Sequence, residues 1–119
     1  RFSDGAKLPA SLSGRAVEAL RASYIGFDGV VVSDDMEMGA VSQNYSFEER
    51  VIKAVNAGTD LLVFSNVFGR DPEVGPKIHA VIADAVRDGR ISHARVEEAY
   101  GRIKMLKRRL AEHDLSGKW

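Results

Sequence analysis

Two hydrophobic periods alternate along the chain. Behind Ser13, whose hydroxyl suits a helix N-cap, Val17, Leu20 and Tyr24 recur at helical spacing, and Gly26 stands where that helix closes. Next comes Val30-Val31-Val32, β-branched and apolar on both parities, as expected of a parallel strand covered on both faces. It runs into Ser33-Asp34-Asp35. A capping box, Ser46-Phe47-Glu48-Glu49, opens a second helix with Val51 and Val55 as its stripe and Gly58 at its end. Leu61-Leu62-Val63-Phe64 predicts a second short strand, followed by Ser65-Asn66 and the turn formers Gly69-Arg70-Asp71-Pro72. A third helix is predicted over about Val74 to Arg87, with Ile78, Val81, Ile82 and Ala85 inward and Gly89 just past its end. The fourth starts at Ser92 with Ile91 and Val96 as a hydrophobic staple, and carries Tyr100, Ile103, Leu106 and Leu110 inward.

The order helix, strand, helix, strand, helix, helix implies an α/β unit of two parallel strands joined by helical crossovers. Two strands cannot hide both of their faces and both edges, so the unit is expected to dock against something else. The opening stretch, Phe2 to Pro9, has no apolar period and reads as a loop. It lacks the layout of a signal peptide and begins without methionine, which suggests a chain cut from a longer one.

At 119 residues the chain is the size of one domain, and 45% hydrophobic with 29% charged residues matches an ordinary globular protein. No apolar run approaches the roughly 20 residues a membrane helix needs. Seventeen basic and seventeen acidic residues cancel, so no global field attracts nucleic acid or an anionic lipid surface. The absence of cysteine excludes disulfides, thiolate metal sites and sulfur nucleophiles.

The candidate chemistry sits at Ser33-Asp34-Asp35, because parallel α/β folds gather their active sites at the C-terminal ends of strands. A strand period of two sends Asp34 to one face with Val30 and Val32, and Asp35 to the other with Val31 and Ser33. Periodicity alone leaves both aspartates open as the catalytic one. A pair capping a strand end is the competing structural reading.

The longer string Gly26-Phe-Asp-Gly-Val-Val-Val-Ser-Asp-Asp-Met-Glu-Met-Gly-Ala40 resembles the nucleophile segment of the β-N-acetylglucosaminidase branch of glycoside hydrolase family 3. The resemblance extends to Pro9-Ala-Ser-Leu-Ser13, to Ala54-Val-Asn-Ala-Gly-Thr-Asp-Leu-Leu62 and to Arg95-Val-Glu-Glu-Ala-Tyr-Gly-Arg-Ile103. It implies that residues 1–119 are the C-terminal part of one (β/α)8 TIM-type barrel, its last two βα units with about four helices. It also implies that Asp34 is the nucleophile, with Asp35 favouring the N-acetylhexosaminide branch over the glucosidase branch, which usually has an aromatic residue there. The implied reaction is retaining hydrolysis of terminal β-linked N-acetylglucosamine from peptidoglycan or chitin fragments. It needs no metal or organic cofactor, and its commonest setting is bacterial, cytoplasmic peptidoglycan recycling. The family takes its acid/base from an aspartate–histidine loop several strands upstream. That loop is not in this chain, so the chain alone is expected to be inactive. Its exposed strand edges are expected to meet the missing part of the barrel or a second copy.

Met36 and Asn66 are candidate sugar contacts, with core packing and loop ordering as their alternatives. Arg70 falls in a loop position that binds phosphate in many barrels. His79, His93 and His113 lie on or beside C-terminal helices and read as surface residues, and Lys104, Lys107, Arg108 and Arg109 read as solvated cations favouring a helix C-terminus. Two rival readings are a receiver-like phosphoacceptor domain and a non-catalytic or swapped assembly module. A receiver places a lysine at the end of its last strand, and Phe64-Ser65-Asn66 has none.

Overall fold

A computed structural model describes residues 8–22, 26–67 and 69–115. The opening loop up to residue 7 and Tyr24 lie outside them. A 3-10 turn over Ala10–Leu12 leads into α1 (Gly14–Ala22), β1 (Val32–Asp35), the short α2 (Gly39–Ser42), α3 (Phe47–Ala57), β2 (Leu61–Val63), α4 (Val74–Arg87) and α5 (His93–Leu115). β1 and β2 are parallel neighbours.

The caps form as the side-chain chemistry dictates. Ser13 Oγ accepts the Ala16 N–H at 3.3 Å. Ser46 Oγ accepts from Glu49 N–H at 3.2 Å while the Glu49 carboxylate accepts from Ser46 N–H at 3.1 Å, so two otherwise unpaired donors at the start of α3 are satisfied. Ser92 Oγ accepts the Arg95 N–H at the start of α5. Gly58 closes α3 at φ +104°, with its N–H on the Ala54 and Val55 carbonyls.

α3 is the pivot of the core. One cluster joins its Ala54 to Leu12, Met36 and Val41, with Leu62 and Phe64 packed alongside. A second joins its Val55 to Ala85 of α4 and to Ile91, with Ile82, Val96 and again Leu62 alongside. The helices thus cover one face of the two-stranded sheet, while Val32 and Val63 are 54% and 41% exposed.

Four expectations change. β1 begins at Val32 rather than Val30 and continues to Asp35; the Val31 carbonyl nevertheless accepts the Asp60 and Leu61 N–H groups at 2.8 and 3.1 Å, so the chain is already tethered there. β2 ends at Val63, before Phe64. The described residues hold a 3-10 turn and the four-residue α2 beyond the helices expected. Tyr100 and Leu110 of α5 are exposed rather than inward. The reason is that α5 docks by its first turns and by charge, not along an apolar seam: Val96 joins the second cluster, and Arg95 and Arg102 reach Asp60.

Asp60 is the polar hub of the fold. Its side chain is 0% exposed and accepts four bonds: from Arg21 Nη2 (2.8 Å) and Val31 N–H (3.0 Å) on one oxygen, and from Arg95 Nη2 (3.1 Å) and Arg102 Nη1 (3.2 Å) on the other. α1, the entry to β1 and α5 therefore converge on one carboxylate at the start of β2. Burial pushes its pKa up, but the Val31 N–H and the Arg95 and Arg102 guanidiniums outweigh that and hold it below the ordinary carboxylate value. Arg95 Nη1 is buried without a hydrogen bond, with the Glu98 carboxylate 3.6 Å away.

Candidate active site

The site grows from an irregularity in β1. Val32 pairs with Leu61 and Asp35 with Val63, so β1 spends one more residue than β2 between the two pairs. Such a bulge locally interrupts the ladder and re-aims side chains. The interruption is filled by Ser33, whose Oγ accepts the Val63 N–H at 2.9 Å and donates to the Asp34 carbonyl at 2.6 Å. Beyond it the ladder resumes, with Met36 N–H on the Val63 carbonyl at 2.8 Å.

The three residues of Ser33-Asp34-Asp35 therefore divide their work. Ser33 is turned into the core side. Asp34 is exposed, and its Oδ1 accepts the Asp35 N–H at 2.9 Å. Asp35 is half-buried and reaches across to β2: its Oδ1 accepts the Glu37 N–H at 3.0 Å and the Ser65 N–H at 3.1 Å. The Glu37 N–H first, and the Ser65 N–H with it, hold the Asp35 carboxyl below the usual carboxylate range.

Glu37 repeats the pattern one step further on. Its Oε2 accepts the Ser65 hydroxyl at 2.7 Å and the Asn66 N–H at 2.6 Å. From the other side, Arg50 Nη1 of α3 donates to the Met36 carbonyl at 2.7 Å, its guanidinium lying against the Phe47 ring. The turn after Asp34 is held from both flanks.

Asn66 has a positive φ of 52°, and its side-chain amide clasps the backbone of Asp71: Nδ2 donates to the Asp71 carbonyl and Oδ1 accepts its N–H, each at 2.9 Å. This places Asn66 in the loop-ordering role. Met36 is 0% exposed and belongs to the first core cluster, so its side chain packs and does not line a sugar site. Arg70 and the three histidines are exposed, and His93 pairs with Glu97 on its own helix. A cleft of about 350 Å³ between Asp28–Val30 and Glu97, Arg102 and Met105 of α5 lies at the other end of β1 from Asp34. It is therefore on the wrong face for the strand-end chemistry. Among the described residues no cluster of three or more histidine, aspartate or glutamate side chains is arranged to hold a metal ion.

Compared with known proteins, residues 1–106 match the Glycosyl hydrolase family 3 N terminal domain. The chain belongs to glycosyl hydrolase family 3. Its fold superposes on that of a family 3 β-N-acetylglucosaminidase from Paenibacillus with a TM-score of 0.74 at 42% identity, covering 88% of this chain and 19% of that one. The β-N-acetylglucosaminidase of Thermotoga maritima gives 0.69 at 34% identity, covering 82% of this chain and 21% of that one. The beta-hexosaminidase LpqI of Mycobacterium tuberculosis is 32% identical over 104 residues, 83% of this chain and 26% of that protein. The family 3 chain spans well under a third of the curated relatives it matches, from 18% to 29% of their length. Membership replaces the receiver reading.

Sequence reasoning named Ser33 and Ser65 at the two strand ends but gave no role to either, nor to Glu37 or Arg50. Ser33 and Glu37 stand inside the motif that carries the family resemblance, and Ser65 ends the neighbouring strand. A polar residue at each of two adjacent strand ends was the available signal. What was missing was the bulge, which no periodicity displays.

Proposed function

We propose that the family 3 chain supplies the nucleophile section of a retaining β-N-acetylglucosaminidase, with Asp34 as the nucleophile. The observation that carries this reading is the exposed Asp34 carboxylate at the bulged C-terminal end of β1. In the first step an Asp34 carboxylate oxygen forms a bond to the anomeric carbon while the bond to the leaving-group oxygen breaks, and an acid supplied from elsewhere in the protein protonates that oxygen. Water then attacks the glycosyl-aspartate, and the configuration is retained.

The two βα units are read as the last two of a (β/α)8 barrel, with Asp34 on its inner face and Val32 and Val63 meeting the remaining strands. In this arrangement the acid/base comes from that remainder, and the isolated 119 residues give no turnover. The relatives named for β-N-acetylglucosaminides support that substrate class. The Cellulomonas fimi relative, named as both a β-N-acetylglucosaminidase and a β-glucosidase, makes the N-acetyl group the point to test. Peptidoglycan fragments handled in the cytoplasm are the setting we favour.

The test uses the full-length protein and a fluorinated β-N-acetylglucosaminyl fluoride, whose glycosyl-enzyme forms readily and hydrolyses slowly. Mass spectrometry is expected to place the adduct on Asp34, and Asp34→Ala to abolish it. An adduct on any other residue refutes the assignment.

A further inference from the structure

The carboxylates of Asp35 and Glu37, one and three residues after Asp34, are each spent on the segment that follows the neighbouring strand. Asp35 holds the Ser65 N–H together with the Glu37 N–H of its own turn. Glu37 holds the Ser65 hydroxyl and the Asn66 N–H. Ser65 and Asn66 are the second and third residues after β2, so the ladder that joins the strands ends before them. Two carboxylates thus continue the pairing of β1 and β2 where backbone-to-backbone bonds stop.

We propose that Asp35 and Glu37 form a strand-end clamp that positions Asp34, by fixing the turn after it to the first residues beyond β2. The inference rests on the reading of Asp34 as nucleophile. Neither clamp residue touches the sugar in this scheme; both act through the backbone that carries Asp34.

The physical case is one of leverage. A bulge leaves Asp34 in the one part of β1 where the ladder is interrupted, so its direction depends on what holds the residues on either side. On the N-terminal side that is Ser33, bonded to Val63; on the C-terminal side it is Asp35 and Glu37. Arg50 braces the same turn through the Met36 carbonyl. Charge-assisted bonds from N–H to carboxylate are stronger than neutral ones, which suits a hinge point that must not move. The clamp also gives position 35 a meaning beyond its branch resemblance: an aromatic side chain there has no acceptor for the Ser65 N–H. A hydrolase with such a residue must hold this turn by other bonds.

The experiment is inactivation of the full-length protein by the same glycosyl fluoride. Fluoride departs without needing a proton, so the rate of adduct formation reports the nucleophile's placement and is insensitive to the acid/base. For wild type, Asp35→Ala, Asp35→Asn, Glu37→Ala and Glu37→Gln, the maximal inactivation rate and the inhibitor's half-saturation are measured per folded molecule. Amide exchange is followed at Ser65 and Asn66.

Misplacing a reacting group by about 1 Å costs on the order of 100-fold, so each alanine variant is expected to slow the maximal rate by roughly 10- to 100-fold. Half-saturation should change little. The amide variants keep a carbonyl oxygen where the carboxylate accepted its bonds, and are expected to stay within about 5-fold of wild type. Ser65 and Asn66 should exchange faster in the alanine variants alone.

Alanine variants that form the Asp34 adduct at the wild-type rate overturn the clamp while leaving Asp34 as nucleophile. So does unchanged exchange at Ser65 and Asn66, or a loss confined to half-saturation. An adduct on another residue in the wild type overturns the nucleophile reading, and the clamp with it. If Asp35→Ala does not fold, Glu37→Ala decides alone, since it removes two of the cross-strand bonds by itself.

Discussion

Removing the Asp60 carboxylate should cost this fold more than any other single side-chain change. Four donors converge on it, three of them guanidiniums, and its side chain has no exposure to water. Counting each charge-assisted bond at about 1.5–3 kcal/mol gives an upper bound, because folding also strips water from all the charges. Deleting one partner of a buried ion pair typically destabilises by about 3–5 kcal/mol, since the remaining charge stays buried without compensation. We expect that cost for Asp60→Ala at pH 7, with three guanidiniums left facing one another. The assay is the free energy of local opening at the Val31 amide from native-state hydrogen exchange, compared between wild type and variant. Acidification supplies the second arm. The folded pKa of Asp60 lies below the unfolded one, so its contribution is fully present above about pH 4 and fades as the pH falls through the folded value. The gap between wild type and Asp60→Asn should therefore narrow as acid is added. A cost below about 1 kcal/mol for Asp60→Ala, or a gap that does not narrow in acid, refutes the account of Asp60 as an ionised hub.

Two further changes probe the backbone. Gly58→Ala puts a Cβ 2.8 Å from Val17 Cγ1 at φ +104°. The left-handed region costs about 1–2 kcal/mol and the overpacking about 1–3, so thermal or urea unfolding should show roughly 2–5 kcal/mol lost. Adding Val17→Ala should restore only the packing share; full recovery contradicts the backbone part. Ser33→Ala removes the acceptor of the Val63 N–H, and a loss of about 1–2 kcal/mol is expected, read as faster exchange of the Val63 amide. Unchanged exchange there means that the bulge is held by something other than the Ser33 hydroxyl.

Much of the fold was legible in the residues themselves. The capping box at Ser46 and Glu49, the left-handed close at Gly58, the span of α4 and the N-cap at Ser92 all follow from local chemistry, because the donor, the acceptor and the turn lie within a few residues of one another. The same holds for Asp34 as a member of a strand-end acidic pair. Where the pattern misled, the deciding atoms were distant in the chain. Met36 looked like a candidate for the site and became core, because Leu12, Val41 and Ala54 close around it. Tyr100 and Leu110 stay exposed, since α5 is anchored at its start through Arg95 and Arg102.

The sequence by itself therefore determined the main helices and strands, their order, the family and the strand end at which the site is proposed. Those depend on hydrophobic period, caps and turns, which act over one or two helical turns. Only the tertiary structure decided how Ser33-Asp34-Asp35 is shared out: Ser33 into a broken ladder, Asp34 outward, Asp35 across to Ser65. That division depends on the register between two strands about thirty residues apart, set by a single extra residue in β1. Likewise Asp60 carries no local sign of being a hub, because its partners Arg21, Arg95 and Arg102 come from roughly forty residues away on either side and meet only when the chain is folded.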